Sequence, residues 1–273
     1  AASLALGGMF QGAIHGWLLS GLIAGDDVSE RLGFGLSLLA GISETIAGYT
    51  IGTETGIAEG TAGVINTTEF YGMAAGGLLG LTLVGTDGTS EDVAIRVSTG
   101  LALAGAVGGV YVGMATANAQ HFTPSDATAY GVSGLLGAFL PLCVLTMVDP
   151  ESLDARVVSG LSLLGIAGGL AVGTNIVRGR DYRSGDGTGI ALGTFAGALV
   201  GAGVAVLVED VQAGPMLTWV GAAGGFALGL SMARPEMDLS LGGQLDINVN
   251  PIGLLLGAQF TRPVPVGSLT YRF

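Results

Sequence analysis

Long apolar runs alternate with short polar loops along this chain. Most of the runs hold close to 20 residues, the length that a helix needs to cross about 30 Å of hydrocarbon at about 1.5 Å per residue. The third run is shorter than the others. We therefore predict eight membrane-type helices, at about 3–25, 32–52, 70–85, 97–117, 129–148, 157–177, 187–208 and 215–233.

Glycine recurs at every fourth position in most of these runs, and this spacing indicates helices rather than strands. It places the glycines on one helix face, where a second backbone can approach closely, as in the small-residue packing of membrane helices. A soluble bundle with a small-residue seam is the alternative, but in water each helical glycine costs ~1 kcal/mol relative to alanine. The predicted helix-packing residues are Gly105, Gly109, Gly113, Gly165, Gly169, Gly173, Gly189, Gly193, Gly197, Gly201, Gly221, Gly225 and Gly229.

A short phrase recurs three times and marks a repeat. Its arginines are Arg31, Arg96 and Arg156, and a Gly-Leu-Ser-Leu or Gly-Leu-Ala-Leu sequence starts four residues after each. A period of this size with an apolar content predicts stacked copies of one helical hairpin. We place the hairpin region at residues 1–234, with repeats at about 1–25, 26–85, 86–148 and 149–208 and a final helix at 215–233.

The composition supports a membrane environment. Charged residues make up 11% of the chain and the mean hydropathy is +0.67, whereas soluble domains carry about 25% charged residues. Lipid would replace water around the outer helix faces. The net charge of −12 argues against nucleic-acid binding, which needs a basic surface. The predicted partners are a lipid bilayer and either further copies of the chain or other envelope proteins, with no nucleic acid.

No sequence feature indicates catalysis, a cofactor or a metal. The single cysteine, Cys143, excludes an intramolecular disulfide and a cysteine-based zinc site. With two histidines in the chain, we do not expect a histidine metal cluster. The loop at 179–189 is rich in glycine and could cradle an anion, but it lacks the ending of a phosphate-binding loop. We therefore predict that the protein is not an enzyme.

Three polar residues interrupt the first two apolar runs. Gln11 and His15 are four residues apart, hence on one helix face, and Glu44 lies in the second run. Ionisable residues inside a membrane are costly and are candidates for function, and a histidine–glutamate pair can bind or relay a proton. The alternative is a polar contact between packed helices. In the repeat, Glu44 aligns with Gly109 and Gly169, so it belongs to one copy alone.

Helical spacing stops after Arg234, and the tail at 235–273 alternates polar and apolar residues as half-buried strands do. We predict about three strands there, the second at 252–261 and the third at 267–273. The ending, with Leu269, Tyr271 and Phe273, resembles the C-terminal strand of Gram-negative outer-membrane β-barrel proteins. The resemblance implies recognition by the barrel-assembly machinery.

Three strands cannot close a barrel, which needs at least about eight. Further strands would have to come from other chains or from upstream in a longer polypeptide; otherwise the match is accidental. Taken together, the sequence predicts a mainly α protein of four glycine-packed hairpins with a short C-terminal β segment. Its predicted role is a structural or assembly component of the cell envelope, with the outer membrane favoured. An inner-membrane transporter or channel using Gln11, His15 and Glu44 is the alternative, and a soluble filament-forming repeat protein is a weaker third.

Overall fold

The computed structural model describes residues 1–85, 89–148, 154–208, 212–237, 244–249 and 267–272. The prediction of a mainly helical chain is confirmed. The helices in the described part are α1 (Ala2–Ala24), α2 (Glu30–Thr55), α3 (Glu59–Val84), α4 (Glu91–Ala119), α5 (Pro124–Val148), α6 (Ala155–Val177), α7 (Asp186–Val208) and α8 (Gly214–Met232).

The helices form four close pairs, α1 with α2, α3 with α4, α5 with α6 and α7 with α8. This pairing differs from the predicted repeats at 26–85, 86–148 and 149–208, which would join α2 to α3, α4 to α5 and α6 to α7. The repeated phrase therefore opens the second helix of each of the first three hairpins rather than the first. The phrase coincides with a helix start, because Ser29, Ser90 and Asp154 accept hydrogen bonds from backbone N–H groups in the first turns of α2, α4 and α6.

Successive hairpins stack by a common rule. The second helix of each hairpin also packs on the first helix of the preceding hairpin: α4 on α1, α6 on α3 and α8 on α5. Contacts between α1 and α3, α3 and α5, and α5 and α7 place the first helices side by side. The main buried core lies around α5 and includes Val64 of α3, Tyr130 of α5, Val177 of α6, Ile190 of α7 and Phe226 of α8.

The third helix is longer than its apolar run. We predicted a short segment at 70–85, whereas α3 begins at Glu59 and has 26 residues. The polar stretch 66–69 lowers hydropathy without breaking the helix, and two of its side chains find hydrogen-bond partners. Asn66 Nδ2 donates to the carbonyl oxygen of Ser3 at 3.0 Å, and Thr68 Oγ1 donates to the carbonyl oxygen of Val64 at 2.8 Å.

Six helices of the described residues, rather than the predicted eight, are long and apolar enough to cross a membrane: α2, α4, α5, α6, α7 and α8. Gln11 and His15 lower the hydropathy of α1, and residues 66–69 lower that of α3. Many large apolar side chains are exposed along the six helices, such as Leu207 at 83%, Val206 at 76% and Leu164 at 70%. These features are compatible with a membrane location.

Short strands complete the described fold. Strands β1 (Arg180–Asp181) and β2 (Glu236–Met237) pair antiparallel, as do β3 (Gln244–Val249) and β4 (Gly267–Arg272). The predicted middle strand at 252–261 and the terminal Phe273 lie outside the described residues. The three-stranded tail and the outer-membrane resemblance therefore stay predictions.

Candidate functional site: a histidine–glutamate cluster between three helices

Three ionisable side chains meet where the first two hairpins join. His15 lies on α1, Glu44 on α2 and Glu69 on α3, each near the middle of its helix. Glycines bring α1 and α2 together here, because a Cβ on Gly8 would meet the carbonyl oxygen of Glu44 at 2.5 Å, and one on Gly12 would meet that of Ala40 at 2.7 Å. The absence of side chains at these positions sets the distance between the two helices.

The histidine lies between the two carboxylates. His15 Nδ1 is 2.8 Å from Glu44 Oε1, and His15 Nε2 is 3.8 Å from Glu69 Oε1. The side chains of His15 and Glu69 are 13% and 15% exposed, and that of Glu44 is 34% exposed. The cluster is therefore largely enclosed by helices and opens outward on the side of Glu44.

The side chain of Gln11 extends the polar contacts of the cluster by one turn of α1. Gln11 Nε2 donates to the carbonyl oxygen of Asn66 at 2.6 Å, and so links α1 to α3 beside the cluster. Gln11 is 7% exposed, and its Oε1 has no hydrogen-bond partner among the described residues. Nε2 of His15 is also buried and has no hydrogen-bond partner among the described residues. Buried polar atoms without a partner are uncommon and call for an explanation.

The cluster holds two carboxyl groups and one basic side chain. In the described part of the chain, neither Glu44 nor Glu69 has an arginine within ion-pair distance, and His15 is the sole basic side chain between them. A neutral His15 that donates its Nδ1–H to Glu44 turns the lone pair of Nε2 toward Glu69. That arrangement is repulsive unless a proton or a cation lies at Nε2. The cluster can therefore bind a proton or a metal ion.

Sequence reasoning found part of this cluster. The structure brings His15 into contact with Glu44, and Gln11 lies one turn from His15 on α1 and bonds to α3; the functional role of the three residues stays a prediction. The sequence pattern does not identify Glu69, because it lies in the polar stretch before the third predicted run at 70–85, where a loop is expected. The signal that could have found it is its position between the apolar pairs Val64-Ile65 and Phe70-Tyr71.

The predicted packing glycines lie mostly between the helices of one hairpin. A Cβ on Gly105 would meet the backbone of Gly72, and a Cβ on Gly165 would meet that of Gly137. Gly189 is an exception, because a Cβ there would meet nothing within 4 Å. The others also face backbone or side chains of the partner helix of their hairpin: Gly109, Gly113, Gly169, Gly173, Gly193, Gly197, Gly201, Gly221, Gly225 and Gly229.

The arginines of the repeated phrase join successive hairpins. Arg96 Nη1 donates to the carbonyl oxygens of Leu22 and Ile23, at 3.0 and 2.7 Å, at the C-terminal end of α1. Arg156 Nη2 donates to the carbonyl oxygen of Val84, at 3.0 Å, at the end of α3. A cation is favourable there because the last carbonyls of a helix lack intrahelical partners. Arg31, the first copy, has no such partner among the described residues.

A search against protein-family models, curated proteins and solved structures finds no match to this chain. The fold and the site together define a bundle of stacked helical hairpins that is compatible with a membrane and holds a polar cluster at its first hairpin junction.

Proposed function

We propose that the protein is a non-enzymatic structural component of a cell-envelope membrane, spanning the lipid with its apolar helices and associating with further copies of itself. The observation that carries the self-association is an inter-hairpin contact that Arg96 and Arg156 make and that Arg31 does not make among the described residues. The apolar side chains exposed along six helices support the membrane location.

The inter-hairpin contact uses two positions of the repeated phrase. Beside Arg96, a Cβ on Gly100 would meet the side chain of Leu22 at 3.3 Å; a Cβ on Gly160, four residues after Arg156, would meet Thr82 at 3.9 Å. Gly35 holds the same position after Arg31, and a Cβ there would meet nothing within 4 Å. Both residues of the contact are therefore exposed and unpartnered on α2, among the described residues.

The other half of the contact is present on α7. It is the first helix of the fourth hairpin, and no described helix after α8 packs on its C-terminal end. Val206 and Leu207 are highly exposed there, and the sequence continues with Glu209-Asp210, as Asp26-Asp27 follows α1. Arg31 of one copy would bind the end of α7 of another. This contact is head-to-tail, so it generates rings or open arrays.

Disulfide cross-linking in native membranes tests this association. In a Cys143→Ser background, Arg31→Cys with Leu207→Cys should give a ladder of covalent oligomers. The control pairs Arg31→Cys with Leu83→Cys, at the matching position of α3, whose end Arg156 already occupies. Cross-linking equal to that of the control would contradict the association.

Within the envelope we place the protein in the outer membrane of a Gram-negative bacterium. The support is the alternating tail with Leu269, Tyr271 and Phe273, and further strands would come from neighbouring copies. Helices rich in glycine and alanine insert less favourably than leucine-rich ones, which would let them pass the inner membrane. Cell fractionation tests this: deletion of Phe273 should reduce recovery in the outer membrane, and unchanged recovery would contradict the assignment.

An inner-membrane transporter or channel is the second candidate, and the cluster of His15, Glu44 and Glu69 favours it. Its residues lie near the middle of α1, α2 and α3, of which α2 is one of the six helices apolar enough to cross a membrane. Ionisable groups within a membrane serve proton and ion pathways. Purified protein in liposomes with a pH-sensitive dye inside would be expected to dissipate a proton gradient, and Glu44→Gln to abolish the flux. Absence of flux from the unmodified protein would count against this function.

A further inference from the structure

The cluster of His15, Glu44 and Glu69 has the composition of a metal site. Across the described ranges, it is the one group of three His, Cys, Asp or Glu side chains whose ligand atoms all lie within 4.8 Å of one another. One imidazole nitrogen and carboxylate oxygens form a mixed donor set, which suits first-row divalent transition metals better than soft Cu⁺.

We propose that a divalent transition-metal ion binds between His15 Nε2 and the carboxylate of Glu69, with Glu44 orienting the imidazole through its Nδ1–H. Metal-binding histidines commonly donate their second ring N–H to a carboxylate, which fixes the tautomer and the ring orientation. The 2.8 Å contact between His15 Nδ1 and Glu44 Oε1 has this form. It leaves Nε2 as the metal-binding nitrogen, on the side of Glu69.

The distances need only a small adjustment. Two ligand atoms bound at about 2.1 Å in a tetrahedral site lie about 3.4 Å apart, and His15 Nε2 is 3.8 Å from Glu69 Oε1. Gln11 Oε1, one turn away on α1, is also buried and without a hydrogen-bond partner in the described structure. A cation would satisfy the unpartnered Nε2 and offset the charge of an ionised Glu69, whose side chain is largely enclosed.

The three residues also depart from the repeat. Gly25 and Gly85 end α1 and α3 with the same positive φ, at 64° and 66°, and so align the two helices. In this alignment His15 matches Ala75, and Glu69 matches Met9. Glu44 matches Gly109 in the phrase repeat. The residues aligned with His15, Glu44 and Glu69 are therefore small or apolar. The three ionisable residues that replace them lie together in one place in the fold.

Metal binding to the full chain in detergent tests the inference. After chelator treatment, Co²⁺ should bind at about one ion per chain with visible absorption typical of nitrogen and oxygen ligands, and Zn²⁺ should displace it. Glu69→Gln and His15→Gln should reduce bound Co²⁺ to background. Glu44→Gln should weaken binding by about 10–100-fold, as loss of an orienting carboxylate does.

The second histidine provides the control. His121 is 70% exposed and lies 3.3 Å from the Asp181 carboxylate, so His121→Gln should leave Co²⁺ binding unchanged. If the His15 and Glu69 variants fail to fold, nuclear magnetic resonance of Co²⁺-loaded wild-type protein distinguishes the two sites. Paramagnetic shifts are expected for the ring of His15 and not for the ring of His121. Wild-type protein that binds neither Co²⁺ nor Zn²⁺ would overturn the proposal and leave a proton shared between His15 and the carboxylates. Binding that is lost with His121→Gln would also overturn it, because the metal would then be an adventitious ion only. The proposal does not depend on which membrane holds the protein or on its self-association.

Discussion

Gly72 on α3 and Gly105 on α4 lie against each other's backbone. A Cβ on Gly105 would meet the carbonyl oxygen of Gly72, and a Cβ on Gly72 would meet the carbonyl oxygen of Gly105. The same reciprocal contact joins Gly137 to Gly165 in the third hairpin. Because the obstructing atoms are backbone, they cannot move aside as a flexible side chain would.

Adding one methyl group at this contact should separate the helices of the second hairpin. We expect Gly105→Ala to lower the free energy of unfolding by about 1–3 kcal/mol, the cost of overpacking a close contact. Gly108→Ala, three residues along the same helix, is the matched control, because a Cβ there would meet nothing within 4 Å. Thermal unfolding in detergent measures both. Equal stability of the two variants would argue against close glycine packing.

Hydropathy located the helices well because most of them are long and apolar throughout. It failed at the start of α3, where Asn66 and Glu69 interrupt the apolar run. Asn66 donates to the carbonyl oxygen of Ser3, and Glu69 faces the ring of His15; both contacts are with α1, more than 50 residues earlier in the chain. A local window does not include contacts with another helix, so it cannot predict that the helix continues through Asn66 and Glu69.

The pairing of helices could not be predicted from the repeated phrase. The phrase marks the start of a helix, since Ser29 and Ser90 cap α2 and α4, but it carries no information on which neighbour that helix contacts. From the sequence, Gly105 and Gly109 could pack against either the preceding helix or the following helix in the chain. Only the three-dimensional arrangement shows that α4 packs along α3 and that Arg96 joins it to α1.

Arg96 and Arg31 occupy equivalent positions in the repeat but should differ in their contribution to stability. Arg96→Met removes the donor to the carbonyl oxygens of Leu22 and Ile23 and the ion pair with Asp92. We expect it to lower the melting temperature of the protein in detergent. Arg31→Met should leave the melting temperature of the monomer unchanged and weaken only self-association. A fall in melting temperature for both variants would show that Arg31 has an internal role.

Trp219 should anchor the fourth hairpin to the third. Its Nε1 donates to the carbonyl oxygen of Leu136 on α5 at 2.7 Å, a contact that phenylalanine cannot make. We expect Trp219→Phe to cost about 0.5–1.5 kcal/mol in the free energy of unfolding. Trp17, the second tryptophan, is 46% exposed and packs edge-on against Phe34. Trp17→Phe is the control in the same chemical-denaturation measurement, and it should have the smaller effect.

Asp126 should hold the loop before α7 to the start of α5. Its side chain is fully buried, Oδ2 accepts from the backbone N–H of Thr123 at 2.7 Å, and Oδ1 accepts from that of Tyr182 at 2.9 Å. In Asp126→Asn the amide nitrogen must face one of these two donors, so one buried N–H loses its acceptor. We expect a loss of about 1–3 kcal/mol in the free energy of unfolding. Asp181→Asn is the control: it changes a more exposed carboxylate nearby and should have little effect on the free energy of unfolding. Chemical denaturation measures both variants. Equal losses of stability would be explained by the general loss of negative charge and not by the buried hydrogen bonds.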